Sequence, residues 1–105
     1  ITPMAIPELW SALVQLKPLK GDEYGMSGAF TNIVTWARNA EEFRAKADTI
    51  AATLNMYVVE VEEAAPVGDY SDGWHEEFED MVRRAESNPN AIIYGTFHRY
   101  PHEEA

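Results

Sequence analysis

The chain has no cysteine among its 105 residues, which removes disulfides, thiolate zinc sites and a cysteine nucleophile together. It is also poor in cations: 8 Lys plus Arg stand against 18 Asp plus Glu, for a formal charge of −10. Binding a phosphate backbone or an anionic membrane depends on Lys and Arg displacing counterions, so neither nucleic acid nor membrane is an expected partner. No apolar run approaches the ~20 residues that span a bilayer, and the first twenty residues lack the basic-then-apolar order of a secretory signal. The expected location is cytoplasmic. Gly25-Met26-Ser27-Gly28 is too short for a phosphate loop, and Ser11, Ser27, Ser71 and Ser87 stand in no nucleophile-elbow context. No motif fixes a chemistry, and no cofactor is expected.

What is present suits a globular protein, with 46% hydrophobic and 25% charged residues. The length allows one domain with one core, taken as residues 4–105. Ile1, Thr2 and Pro3 precede Met4, a natural start, and stay outside the fold argument.

The most legible stretch runs from Gly28 to Glu63 as strand, helix, strand. Gly28 to Ala37 is rich in β-branched and aromatic residues and alternates as a pleated strand requires. Asn39 then stands at an N-cap position with Glu42 three residues later, the spacing of a capping box. Phe43, Ala47, Ile50, Ala51 and Leu54 recur at helical spacing, while Glu41, Arg44, Asp48 and Ala52 fall on the other side. Asn55 marks the stop, and Met56 to Glu63 returns as a strand. Such a unit normally closes as a right-handed crossover between parallel strands.

Before it, Trp10, Ala12, Val14 and Leu16 alternate with Ser11, Leu13, Gln15 and Lys17, as in a strand. The same letters allow a short helix with Leu9, Leu13 and Leu16 on one face. A hairpin partner in Ala29 to Ala37 favours the strand, with Lys20 to Gly28 as the connecting loop. After it, Ala64 to Ser71 reads as a loop and Asp72 as an N-cap. Trp74, Phe78, Met81, Val82 and Ala85 form an apolar helical stripe, with acids early and Arg83 and Arg84 late, the order the helix dipole prefers. Asn88-Pro89-Asn90 ends the helix, and Ala91 to Tyr100 is the last strand. The expected fold is therefore α+β in the order β-β-α-β-α-β: a two-layer sandwich of a mixed four-stranded sheet with two helices on one face. It is close in spirit to the ferredoxin-like architecture, whose usual order of elements differs.

Three sets of residues could carry function. Ten of the acids lie from Glu60 to Glu86, with Tyr70 and Trp74 interleaved. Asp69, Tyr70, Asp72, Trp74, Glu76, Glu77, Glu79 and Asp80 could steer and anchor a basic protein partner, as an immunity or antitoxin-like inhibitor of a cationic toxin or nuclease does. The plain alternative is a solvated helix face that keeps the protein soluble. The second set belongs to a sheet face left open by helices on the other side. If Ile93 and Phe97 face the core, Tyr94, Thr96 and His98 lie opposite. Trp36, Tyr94 and His98 could then bind a small ligand, and Tyr57 could join them; the same face could form a homodimer. The third set, His98 and His102 with Glu103 or Glu104, does not match a zinc spacing, so no metal is expected. His75 between Asp72 and Glu79 has no nucleophile to serve, and catalysis is not the favoured reading.

Overall fold

The computed structural model describes residues 6–20, 28–68 and 76–100. Strand β1, Glu8–Pro18, pairs antiparallel with β2, Gly28–Ala37, in one unbroken register from Glu8 opposite Ala37 to Leu16 opposite Ala29. The segment whose letters allowed strand or helix is thus a strand, and the register puts Trp10, Ala12, Val14 and Leu16 on one face. Strand β3, Met56–Pro66, pairs antiparallel with the other side of β1. It runs three residues beyond the sequence-based end. β2 and β3 share a direction, but β1 lies between them, so helix α1, Ala40–Thr53, crosses over β1. The α+β class and the order of elements are as expected. Every pairing in the sheet is antiparallel, where a mixed sheet was expected.

Helix α1 starts where its capping residues place it. The Glu42 amide donates to Asn39 Oδ1 at 2.8 Å, and the Arg38 amide donates to Glu42 Oε1 at 3.2 Å. Phe43, Ala47 and Ala51 are buried against Val14, Leu16, Ile33, Met56 and Val58. The small Ala47 and Ala51 let the helix approach the sheet closely, and Phe43 fills the space between them. Asn55, at φ 59°, reverses the chain in the left-handed region that asparagine tolerates, and its carbonyl accepts from the Leu19 amide at 3.0 Å.

Helix α2, Glu76–Glu86, lies on the opposite side of the sheet. Ala29, Ile33 and Ala37 of β2 belong to the core beneath α1, whereas Val34 packs with Met81, Val82 and Ala85 of α2, together with Leu9 and Ile93. Neighbouring residues of a strand point to opposite faces, so the helices cover opposite faces of the sheet. This corrects the placement of both helices on one face. The reason is in β2, where Ile33-Val34 offers an apolar residue to each side in succession. A strand covered on both faces reads as a continuous apolar run and not as an alternation.

The last strand is broken. Both β4, Ile92–Tyr94, and β5, His98–Tyr100, pair antiparallel with β2. Ile33 stands opposite Tyr94 and Phe30 opposite His98, so Thr31 and Asn32 face three residues, Gly95, Thr96 and Phe97. One extra residue reverses the alternation. Ile93 consequently joins the core under α2 and Phe97 the core under α1, where a single core-facing pair was expected. Two buried threonines of β2 hold the ends of β4: Thr31 Oγ1 donates to Gly95 O at 3.0 Å and Thr35 Oγ1 to Ala91 O at 2.7 Å.

Candidate functional site

α2 is fastened to the sheet near both ends. At its C-terminal turn, where carbonyls lack helical partners, Ala85 O accepts from Trp36 Nε1 at 2.8 Å. At its first turn, the Glu77 carboxylate accepts from the Thr96 amide at 2.7 Å and from Thr96 Oγ1 at 2.6 Å. Gly95 makes room for this clamp: a Cβ there would collide with Glu77 Oε1 and come within 3.0 Å of Met81 Sδ. Gly95→Ala should displace Glu77 from Thr96 and lower stability by about 1–2 kcal/mol. Urea denaturation checks this, and a loss below about 0.3 kcal/mol would mean that the clamp adds nothing.

Between α2 and the sheet lies a cavity of about 350 Å³ lined by Asn32, Glu77, Phe78, Met81 and His98. Asn32 comes from β2 and His98 from β5, both on the α2 face, as the pairing of His98 with Phe30 requires. The broken strand builds this site. Without the extra residue at 95–97, His98 would point to the α1 side.

α2 covers only half of its face. Over Leu9, Val34, Trp36 and Ile93 the sheet is packed, while the other half carries large apolar side chains in the open: Leu13 at 36%, Tyr57 at 45% and Val59 at 40% exposure. Glu62 stands opposite Leu13, Glu60 opposite Gln15 and Tyr57 opposite Lys17. Val59 is an extra residue in β3 beside Glu60, and a second irregularity comes at Glu63, with φ 53°. These two bulges explain why the inward apolar positions of β3 run Met56, Val58, Val61, Ala64 and not at a constant spacing of two. They also make β3 a poor template for edge pairing with another strand.

Of the sequence-predicted contact residues, Asp69, Tyr70, Asp72 and Trp74 lie outside the described residues, as do His75, His102, Glu103 and Glu104. Glu76, Glu77 and Asp80 are exposed on α2 and Glu79 is half-buried. Glu77 is committed to Thr96, and Asp80 faces Arg83 at 3.7 Å and Arg84 at 3.9 Å. Such exposed pairs contribute little stability, but they dilute the negative charge of that helix face. Trp36, Tyr94 and His98 do not form one surface. Trp36 and His98 are on the α2 face, whereas Tyr94 is opposite Ile33 on the α1 face, its ring 5.5 Å from that of Phe97. The extra residue in the last strand is the cause.

The sequence reading did not single out Leu13, Val59 or Asn32. The uneven apolar spacing of β3 was the available signal for Val59, and for Leu13 it was an apolar letter among the polar alternates Ser11, Gln15 and Lys17 of β1. Among the described residues no group of three His, Asp or Glu could hold a metal ion, and no helix is long and apolar enough to cross a membrane. No family model, curated protein or solved structure matches the chain.

Proposed function

We propose that this chain is a small acidic protein-binding module that docks a basic protein, in the manner of an immunity or antitoxin-like inhibitor, on the bare half of the α2 face. The observation that carries the reading is the composition of that half: Leu13, Tyr57 and Val59 are exposed beside Glu60 and Glu62. An apolar centre with carboxylates at its margin combines area that leaves water on contact with charges that orient and accelerate encounter. The chain's charge of −10 favours a cationic partner and opposes a second copy of itself, since the two copies would repel.

The test compares capture from a lysate by the wild-type chain and by Leu13→Asp/Tyr57→Asp. Both positions are partly solvated, so the variant keeps its fold, which circular dichroism verifies. The expected result is a basic protein held by the wild type at low salt, weakened at least tenfold by high salt and lost by the variant. A partner bound equally by both chains, or a neutral partner insensitive to salt, would contradict the reading.

A further inference from the structure

The bare half of the α2 face lies on two neighbouring strands, between Leu13 opposite Glu62 at one end and Lys17 opposite Tyr57 at the other. Two paired strands make a strip about 10 Å wide, and the step from Leu13 to Lys17 makes it about 13 Å long. We infer that this strip is the seat of a single amphipathic helix of the basic partner, which lies along β1 and β3 with about two to three turns in contact. The inference rests on the protein-binding reading and adds the element by which the partner docks.

The backbone of the strip decides which element can lie on it. β1 is paired on both sides, by β2 and by β3, so a segment laid on this face meets side chains and must satisfy its own N–H and C=O groups. An extended segment cannot do that on a sheet face. It would need the outer edge of β3, and that edge is interrupted at Val59 and at Glu63. A helix closes its backbone bonds internally, and its diameter of about 10–12 Å matches the width of two strands. The exposed Leu13, Tyr57 and Val59 would receive an apolar stripe at i, i+4 and i+7, the spacing by which a helix fills an apolar groove. Charge then selects the flanks of that stripe. Glu60 and Glu62 stand opposite Gln15 and Leu13, whereas Lys17, the one cation of β1 and β3, lies at the Tyr57 end. The partner's Lys and Arg therefore belong beside Glu60 and Glu62. A second copy of this chain fits poorly, because the outer side of α1 mixes Glu41, Arg44 and Asp48 and two charges of −10 repel.

The experiment titrates the isotope-labelled chain with three synthetic peptides of Leu, Lys and Ala, each about eighteen residues long so that a helix can form. The first carries its leucines as one helical stripe, the second has the same composition scrambled so that no face is apolar, and the third keeps the stripe with every Lys replaced by Glu. The striped basic peptide should shift the amides from Leu13 to Lys17 and from Tyr57 to Glu62 and gain helical circular dichroism on binding. The scrambled and the acidic peptides should each bind at least tenfold more weakly. Glu60→Gln/Glu62→Gln should weaken the striped basic peptide about tenfold, and Lys17→Gln should not weaken it; all three side chains are exposed or half-buried, so these variants keep the fold. Equal binding of the striped and scrambled basic peptides, shifts elsewhere on the chain, no binding of the striped peptide, or Leu13 and Tyr57 already shielded in the free chain from a soluble paramagnetic probe would overturn the helix seat. The two proposals fail separately. A basic partner captured by wild type and lost by Leu13→Asp/Tyr57→Asp, with striped and scrambled peptides bound alike, refutes the helix seat and leaves the docking face. The striped peptide bound on the strip with no basic partner captured supports the seat and counts against the docking reading.

Discussion

Val34→Asp should destabilise the protein by at least about 3 kcal/mol, because it places a carboxylate without a counter-charge between the sheet and α2. Val34 is fully buried and packs against Met81, Val82 and Ala85, and the part of α2 that touches it has no cation aimed inward: Arg83 and Arg84 are exposed. A domain of this size has roughly 5–15 kcal/mol of stability in total, so the loss is a large share of it. Leu13→Asp is the matched control, on the same face of the sheet but in the half that α2 leaves bare. It should cost less than about 1 kcal/mol. Urea denaturation of the two variants measures the contrast directly. If Val34→Asp were as mild as Leu13→Asp, α2 would not pack on that face, and the account of the two helices on opposite sides would fail.

Phe43→Ala should cost about 3–5 kcal/mol by deleting a buried aromatic side chain and leaving a cavity under α1. The helix depends on this residue more than on any other. Its remaining buried positions, Ala47 and Ala51, are too small to hold it by their own apolar area, and Ile50 and Leu54 are only partly buried. The core to which Phe43 belongs draws its other buried residues from β1, β2 and β3 as well as from α1, so its removal weakens the core that joins the helix to the sheet. A fall in the urea midpoint with an unchanged slope would show this loss. A cost under about 1 kcal/mol would indicate that α1 is held by something other than its buried stripe.

These two positions also show why some of the fold was legible in the sequence and some was not. Local signals were reliable: Asn39 and Glu42 marked the start of α1, Phe43, Ala47 and Ala51 gave its buried side, and the strand-like letters of β1 found their hairpin partner in β2. Each depends on residues within a few places of one another. The face that α2 covers depends on a nonlocal choice. Val34 and Ile33 are both apolar, and period-two reasoning assigns only one side to the core unless the strand is recognised as doubly covered. The bulges were hidden for a related reason. An extra residue such as Val59, or the surplus one at 95–97, exists only relative to the strand opposite, and a single strand's letters do not contain its register.

The candidate site suffered most from this, because it is assembled by those irregularities. One extra residue separated Tyr94 from His98 and carried His98 to the cavity beside Asn32. The partial coverage by α2 then left Leu13 and Tyr57 in the open on the same face. The acidic excess, by contrast, was plain from composition, and it is the ground on which a cationic protein is proposed as the partner for that surface.

The most direct measurement is amide chemical-shift mapping of the labelled chain against the basic partner captured at low salt. The account predicts perturbed amides in β1 from Leu13 to Lys17, in β3 from Tyr57 to Glu62, and at Asn32 and His98 beside the cavity. Perturbations confined to the outward side of α2, around Glu76, Asp80 and Arg83, or to α1, would contradict it and move the binding surface away from the bare half of the sheet.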